Sequence, residues 1–121
     1  MISVIIPTFN EKNNIYKILS KLKKIKIISE IIFVDDESND GTYNEIIKYK
    51  TKKIKGYLRK SNMKDLSKSV VCGVKKAKFN NIVVMDCDLQ HNPNYIIKMW
   101  KKFNGSKYDI IIANRFCNQK I

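Results

Sequence analysis

The sequence predicts a three-layer α/β/α fold on a mostly parallel sheet, and three observations carry that prediction. Short apolar, β-branched runs alternate with stretches of helical spacing along all 121 residues, in the order β-α-β-α-β-α-β-α-β. The runs are apolar almost throughout, as in strands buried on both faces. Each polar cluster, at 7–11, 35–42 and 86–91, follows directly on a strand. Right-handed crossovers then gather the clusters along one edge of the sheet, where open α/β sheets bind ligands.

Taken in order, Ile2 to Ile6 is the first strand, closed by Pro7-Thr8. Thr8 or Asn10 is placed to cap the next helix, with Glu11 in its first turn favourable to the helix dipole. Ile15, Ile18, Leu19 and Leu22 recur at i, i+3, i+4 and i+7, a helix over 12–24 whose other face carries Lys17, Lys21 and Lys24. Glu30 to Val34 is the second strand. It runs into Asp35-Asp36-Glu37-Ser38-Asn39-Asp40-Gly41-Thr42, an acidic loop, and then a helix bearing Tyr43, Ile46 and Ile47. Ile54 to Leu58 is a weaker third strand. Leu66, Val70, Val74 and Ala77 keep helical spacing over 65–78, and the run from Ile82 is the fourth strand. Pro93 suits a helix start. Tyr95, Ile96, Met99, Trp100 and Phe103 form one apolar stripe of a fourth helix, which Asn104-Gly105 ends. Tyr108 to Ala113 is expected to be a fifth strand.

Length predicts a single domain over 1–121, and a hydrophobic fraction of 44% suffices for a core. No apolar run is long enough to cross a membrane. The first residues, MISVIIPTFNE, lack a basic leader region and read as a strand. Three cysteines, Cys72, Cys87 and Cys117, are odd in number and widely spaced, which points to reduced thiols and a cytoplasmic setting. The net charge of +13 draws the chain to phosphates, anionic lipid headgroups or nucleic acid. The simpler reading is solvated, lysine-rich helix faces. Only two arginines occur, Arg59 and Arg115, which weighs against nucleic-acid readout, where arginine dominates base contacts.

The stretch from Ile82 to Pro93 carries the chemistry. Its apolar run ends in two carboxylates, Asp86 and Asp88, followed by Gln90 and His91. Oxygen donors without paired Cys or His favour a hard cation, Mg2+ or Mn2+. The alternative is that both aspartates cap a turn. Convergence of the pair on one ion is expected to need a turn in the chain, which Asn92-Pro93 signals. Cys87, between them, reads as a small hydrophobe facing the sheet. No G-x-G-x-x-G or Walker-type loop is present, which argues against a classical dinucleotide oxidoreductase or a P-loop NTPase. Acidic strand ends suit a nucleotide diphosphate bridged through a divalent cation, with other carboxylates accepting hydrogen bonds from base and ribose.

Three stretches carry a known pattern: Ser3-Val4-Ile5-Ile6-Pro7-Thr8-Phe9-Asn10-Glu11, Val34 to Thr42, and Met85-Asp86-Cys87-Asp88-Leu89-Gln90-His91-Asn92-Pro93. Together they resemble family 2 glycosyltransferases of the Rossmann-like GT-A fold, in particular the polyprenyl- or dolichyl-phosphate mannosyl- or glucosyltransferase branch. The resemblance implies that Pro7, Phe9, Glu11 and Asp36 surround the base and ribose of a GDP- or UDP-hexose. It implies that Asp86 and Asp88 hold the diphosphate and a Mg2+ or Mn2+ ion, with Gln90 as a further metal ligand. Asp88 and Arg115, the latter in Asn114-Arg115-Phe116, are the catalytic candidates. The implied reaction moves a hexose, with inversion, to a lipid phosphate at the cytoplasmic membrane face. The acceptor phosphate is already anionic, so a strong general base is less necessary.

Three departures stand out. Glu37 occupies a position that is usually glycine in that family. Asp65-Leu66-Ser67-Lys68-Ser69 replaces a segment that begins with glycine. The family also continues past residue 121 with acceptor-binding elements, so the resemblance implies the donor-binding half. The alternatives are a non-catalytic remnant or a subunit that needs a partner chain, and a basic module for nucleic acid or membrane. The acidic strand ends argue against nucleic acid.

Overall fold

The computed structural model describes residues 1–114. Four strands, β1 (Ile2–Thr8), β2 (Ile28–Asp35), β3 (Ile54–Leu58) and β4 (Asn81–Val84), form one sheet in the order β3-β2-β1-β4. Every pairing is parallel. The connecting helices are α1 (Ile15–Leu22), α2 (Thr42–Lys48), α3 (Leu66–Lys76) and α4 (Tyr95–Phe103).

The pleat of the central strands decides which helix covers which face. On one face Ile2, Val4, Ile6, Ile31 and Phe33 pack with Ile15, Ile18, Leu19 and Leu22 of α1, Ile46 of α2 and Ile96 of α4. Each of these buried apolar side chains contributes roughly 1.5–3 kcal/mol. On the other face Ile5, Ile32 and Val34 lie against Cys72 and Ala77, in and just after α3. That approach is close because Gly73 has no side chain. A Cβ there would stand 2.5 Å from Ile5 Cγ2. α3 rests on β1 and β2 and leaves β4 bare on that face, so Ile82 and Val84 are 36% and 50% exposed.

Glu30 has no counterpart in the sequence reading. It sits in β2, far from the strand's carboxyl end, and is 1% exposed. Its carboxylate accepts hydrogen bonds from Ser3 Oγ at 2.7 Å and the Lys78 amide at 2.8 Å, and it pairs with Lys55 Nζ. The Phe79 amide in turn donates to Ser3 Oγ. One buried carboxylate thus ties β1, β2 and β3 to the turn that leads into β4. Burial pushes its carboxyl up, but the Lys55, Lys78 and Ser3 hydrogen bonds outweigh this and hold it below its ordinary value of 4.5.

Three expectations need correcting. The first helix opens as a 3-10 turn at Lys12–Asn14, and neither Thr8 nor Asn10 caps it. The Thr8 hydroxyl donates to Asp35 at 2.8 Å, while Asn10 adopts a left-handed backbone at φ +53°. The third helix spans 66–76 and not 65–78, since Asp65 caps it by accepting the Lys68 amide at 3.2 Å. Tyr108 to Ala113 forms no strand. It flanks β4, lining clefts with Ile82 and Val83, without ladder pairing. Ile110 and Ile112 remain 76% and 81% exposed, so burial there does not offset the entropy of ordering a strand.

Candidate functional site at the carboxyl edge of the sheet

Parallel register brings the strand ends to one edge. Thr8 lies beside Asp35, Asp35 beside Leu58, and Ile5 beside Val84. The segments after β1, β2, β3 and β4 therefore leave the sheet side by side.

The first two are laced together. The Asn10 amide donates to Ser38 Oγ at 2.8 Å, and the Asn39 amide to Asn10 Oδ1 at 3.1 Å. The Glu11 amide reaches Thr42 Oγ1 at 2.9 Å, and the Lys12 amide reaches Asp40 Oδ2 at 3.3 Å. Asp40 also accepts from the Thr42 amide at 3.0 Å and from its hydroxyl. Burial raises its carboxyl, and these bonds bring it below the ordinary 3.8. Fully buried Asp35 accepts from Thr8 Oγ1, from Ser38 Oγ at 2.6 Å and from the Ser38 amide at 2.9 Å. Its lone pairs are engaged within the protein, so Asp35 shapes the loop.

Asp36 differs. It is 5% exposed, and its Oδ2 accepts the Asp65 amide at 2.7 Å. Its Oδ1 lies 2.8 Å from Arg59 Nη2. That contact is close enough for charge attraction but lies off the axis of a directed hydrogen bond. Asp36 Oδ1 is the buried side-chain oxygen left without one among the described residues. Lys64 closes the arrangement by donating to the carbonyls of Asp36 at 2.7 Å and Glu37 at 2.9 Å. Its ammonium also stands 5.3 Å from the centre of the Phe9 ring.

Backbone strain gathers here. Asn10, Glu37 and Leu89, at φ +53°, +54° and +65°, are the non-glycine residues in left-handed conformation among the described residues. One sits in each of the three loops, as expected where loop shape serves a site. Glu37 therefore occupies a backbone position suited to glycine. Asp65, at φ −154°, makes no such demand and supplies a helix cap instead.

After β4, Met85 and Cys87 are buried while Asp86 and Asp88 are exposed. Side chains two residues apart already share a side of extended chain, so the pair does not depend on the expected turn; the chain does bend, at 87–89, with Leu89 left-handed. Burial, and then the charges of Glu11, Asp88 and Asp86, push the Cys87 thiol up to about 12. Glu11 from the β1 loop thus stands in electrostatic range of the same thiol as both aspartates. Asp88 Oδ1 accepts the Gln90 amide at 3.1 Å.

The sequence-selected residues fall as follows. Pro7 is buried in β1, and Phe9 is 46% exposed. Glu11 is half-buried and accepts Asn14 Nδ2 at 2.7 Å. Asp36 is buried, while Asp86, Asp88, Gln90 and His91 are exposed. All of them lie on the one edge. Arg115 lies outside the described residues. No group of three His, Cys, Asp or Glu side chains converges for a metal among the described residues. Asp86 and Asp88 stand as an exposed pair, which fits Mg2+ or Mn2+, ions that take one or two carboxylates and complete their shell with water and phosphate oxygens. Arg59, Lys64 and Asp65 were missed as site residues. The available signal was Arg59, the single arginine before the last seven residues, placed at a strand end.

With this parallel sheet and its acid-lined edge in view, the chain belongs to glycosyl transferase family 2, whose sequence pattern matches residues 3–120. It is 38% identical over 118 residues to a dolichol-phosphate mannosyltransferase of Pyrococcus furiosus, covering 95% of this chain and 33% of that protein. It is 31% identical over 115 residues to the dolichol-phosphate mannosyltransferase of Saccharomyces cerevisiae, covering 89% and 43%. The chain therefore spans from a third to under half the length of these two relatives. Its fold matches the crystal structure of S. aureus TarS in complex with UDP-GlcNAc, with a TM-score of 0.70, 26% identity, and 85% and 31% of the two chains covered. The sheet is thus the Rossmann-like sheet of the GT-A fold.

Proposed function

We propose that the chain binds the nucleotide-sugar donor for transfer of a hexose to a lipid phosphate. One observation carries the reading. Asp36, ion-paired with Arg59 at 2.8 Å, is buried at the rim of an edge that also bears the open pair Asp86 and Asp88. Exposed carboxylates at that edge are open to a metal-bridged diphosphate, beside a rim already ordered by Arg59 and the Asp65 amide. The donor ligand is supported by a neighbour solved with UDP-GlcNAc. The lipid-phosphate acceptor is supported by two relatives named dolichol-phosphate mannosyltransferase.

In this reading Pro7, Phe9, Glu11 and Asp36 frame the nucleoside, and Lys64 holds the Asp36-Glu37 backbone in place. Asp86 and Asp88, with Gln90, would hold Mg2+ or Mn2+, which offsets charge on the diphosphate when bound. Asp88 and Arg115 are the proposed catalytic residues, with Arg115 serving the acceptor phosphate.

Calorimetry with GDP-mannose, UDP-glucose and UDP-GlcNAc, with and without Mn2+, tests the proposal. Binding of one of them that needs Mn2+ and weakens at least ~10-fold, about 1.4 kcal/mol, in Asp88→Asn is expected. No binding of any under either condition refutes the reading.

A further inference from the structure

The two edges of the sheet are finished differently. β3, one edge strand, contains Lys55, which pairs with buried Glu30, and is bracketed by Lys52, Lys53, Arg59 and Lys60. Charge in and around an edge strand keeps it from pairing with another chain. β4, the other edge strand, pairs with β1 alone among the described residues and holds no charge within Asn81–Val84. Residues 79–97 and 108–114 contain no lysine or arginine, in a chain with a net charge of +13. The flank along β4 is apolar and uneven. Ile110 and Ile112 protrude, 76% and 81% exposed, beside two clefts of about 250 and 410 Å3. Ile82, Val83, Ile96, Met99, Ile110 and Ile111 line both clefts. Lys98, Lys101 and Lys102 leave α4 on the side opposite Ile96 and Met99, so they stay off this flank.

We propose that a second copy of the chain covers this flank in a twofold dimer. Protruding isoleucines and clefts lie side by side on one surface. A twofold axis sets the isoleucines of each copy against the clefts of the other, a contact that closes on itself. Charge selects the same occupant. Two chains of +13 repel one another, and on this flank they meet without bringing cations together, as expected where interface centres are depleted of lysine. The acids that line the clefts, Asp86 and Asp109, each meet a partner that is basic overall. A nucleic acid or an anionic lipid surface needs cations that the flank lacks. The proposal goes beyond donor binding and does not rest on it.

The test is sedimentation velocity of the purified chain, without nucleotide or metal, over a concentration series at low and high salt. The mass is expected to reach twice that of one chain and stop there. The dimer should tighten with salt, because screening weakens the repulsion between basic chains and leaves the apolar contact intact. Ile110→Lys with Ile112→Lys places unpaired charges in the contact and should weaken the dimer at least ~100-fold. Tyr16→Lys with Ile47→Lys makes the same charge change on α1 and α2, at side chains 63% and 38% exposed. It should weaken the dimer less than ~3-fold at high salt. Circular dichroism checks that each variant folds. Hydrogen exchange of the wild type needs no substitution: amides of 110–112 should exchange at least ~5-fold more slowly at the highest concentration than at the lowest. A single-chain mass at every concentration and salt overturns the proposal, as do equal losses in the two variants or unchanged exchange at 110–112. Association that weakens with salt overturns it in favour of a contact through charge. Mass that grows without limit overturns it in favour of open, head-to-tail packing.

Discussion

The β2 rim and the β4 rim begin from the same kind of sequence, an apolar run ending in acids, but the protein uses those acids differently. After β2, Asp35 and Asp40 accept hydrogen bonds from Thr8, Ser38, Thr42 and the Lys12 amide, which fixes the loop against the one after β1. After β4, Asp86 and Asp88 stand in solvent, and the bond from the Gln90 amide to Asp88 is a local one. The first rim is organised before any ligand arrives. The second leaves its charge open to solvent. Asp36 lies between these cases, with one oxygen bonded and the other short of a directed donor.

The comparison is most severely tested at the base of the rigid half. Glu30→Ala removes the acceptor shared by Ser3, Lys55 and the Lys78 amide. It should destabilise the fold by about 3 kcal/mol, read as a lower urea midpoint at unchanged slope. The carboxyl of Glu30 lies below its ordinary 4.5 in the folded chain. Its contribution is therefore complete above that pH and is lost as pH falls through the lower folded value. The wild type should lose stability over that acid range, and Glu30→Ala should show a flatter acid limb. Equal acid limbs would remove Glu30 from the account.

Next in size is a matched pair of substitutions across the two rims. Asp35→Asn puts an amide donor where the Ser38 amide and hydroxyl already donate, for a loss of about 2 kcal/mol. Asp86→Asn, on an exposed side chain, should change stability by less than about 0.5 kcal/mol and abolish Mn2+-dependent nucleotide binding. Thermal melts give the first quantity and calorimetry the second. Reversed outcomes, a stability role for Asp86 and none for Asp35, would collapse the distinction between the rims.

Much of this was legible in the sequence because it follows from period and polarity. β1 and β2 read as buried strands, since each apolar run is covered on both faces. The three clusters were placed on one edge because parallel connection leaves no other arrangement. Asp36, Asp86 and Asp88 were picked for charge at a strand end. What escaped depended on partners distant in sequence. Glu30 looked like the first residue of a strand, and nothing local shows that Ser3, Lys55 and Lys78 converge on it. Lys64 was one lysine among many, and its hold on the Asp36 and Glu37 carbonyls exists only after β3 folds beside β2. Tyr108 to Ala113 failed in the opposite direction. Its composition suits a strand, but composition does not supply a covering layer, and exposed Ile110 and Ile112 show that none is present among the described residues.

The smallest effect is the most specific test of how the rigid rim is held. Glu37 is exposed, and its backbone sits at φ +54°, a region costing an ordinary L-residue roughly 1–2 kcal/mol. The loop keeps that shape because its neighbours fix it: Lys64 donates to the carbonyls on either side of the Asp36–Glu37 step, and Ser38 is bound to both Asp35 and Asn10. Glu37→Gly relieves the strain but frees the unfolded chain, so a net gain of about 1 kcal/mol is expected. Lys64→Met with Glu37→Gly separates the two contributions. If Lys64 is what enforces the strained turn, the glycine variant tolerates its loss better than the wild type does, and the two substitutions are non-additive in urea midpoints. Simple additivity would show that Ser38 and Asn10 alone hold the loop, leaving Lys64 as a surface contact beside Phe9.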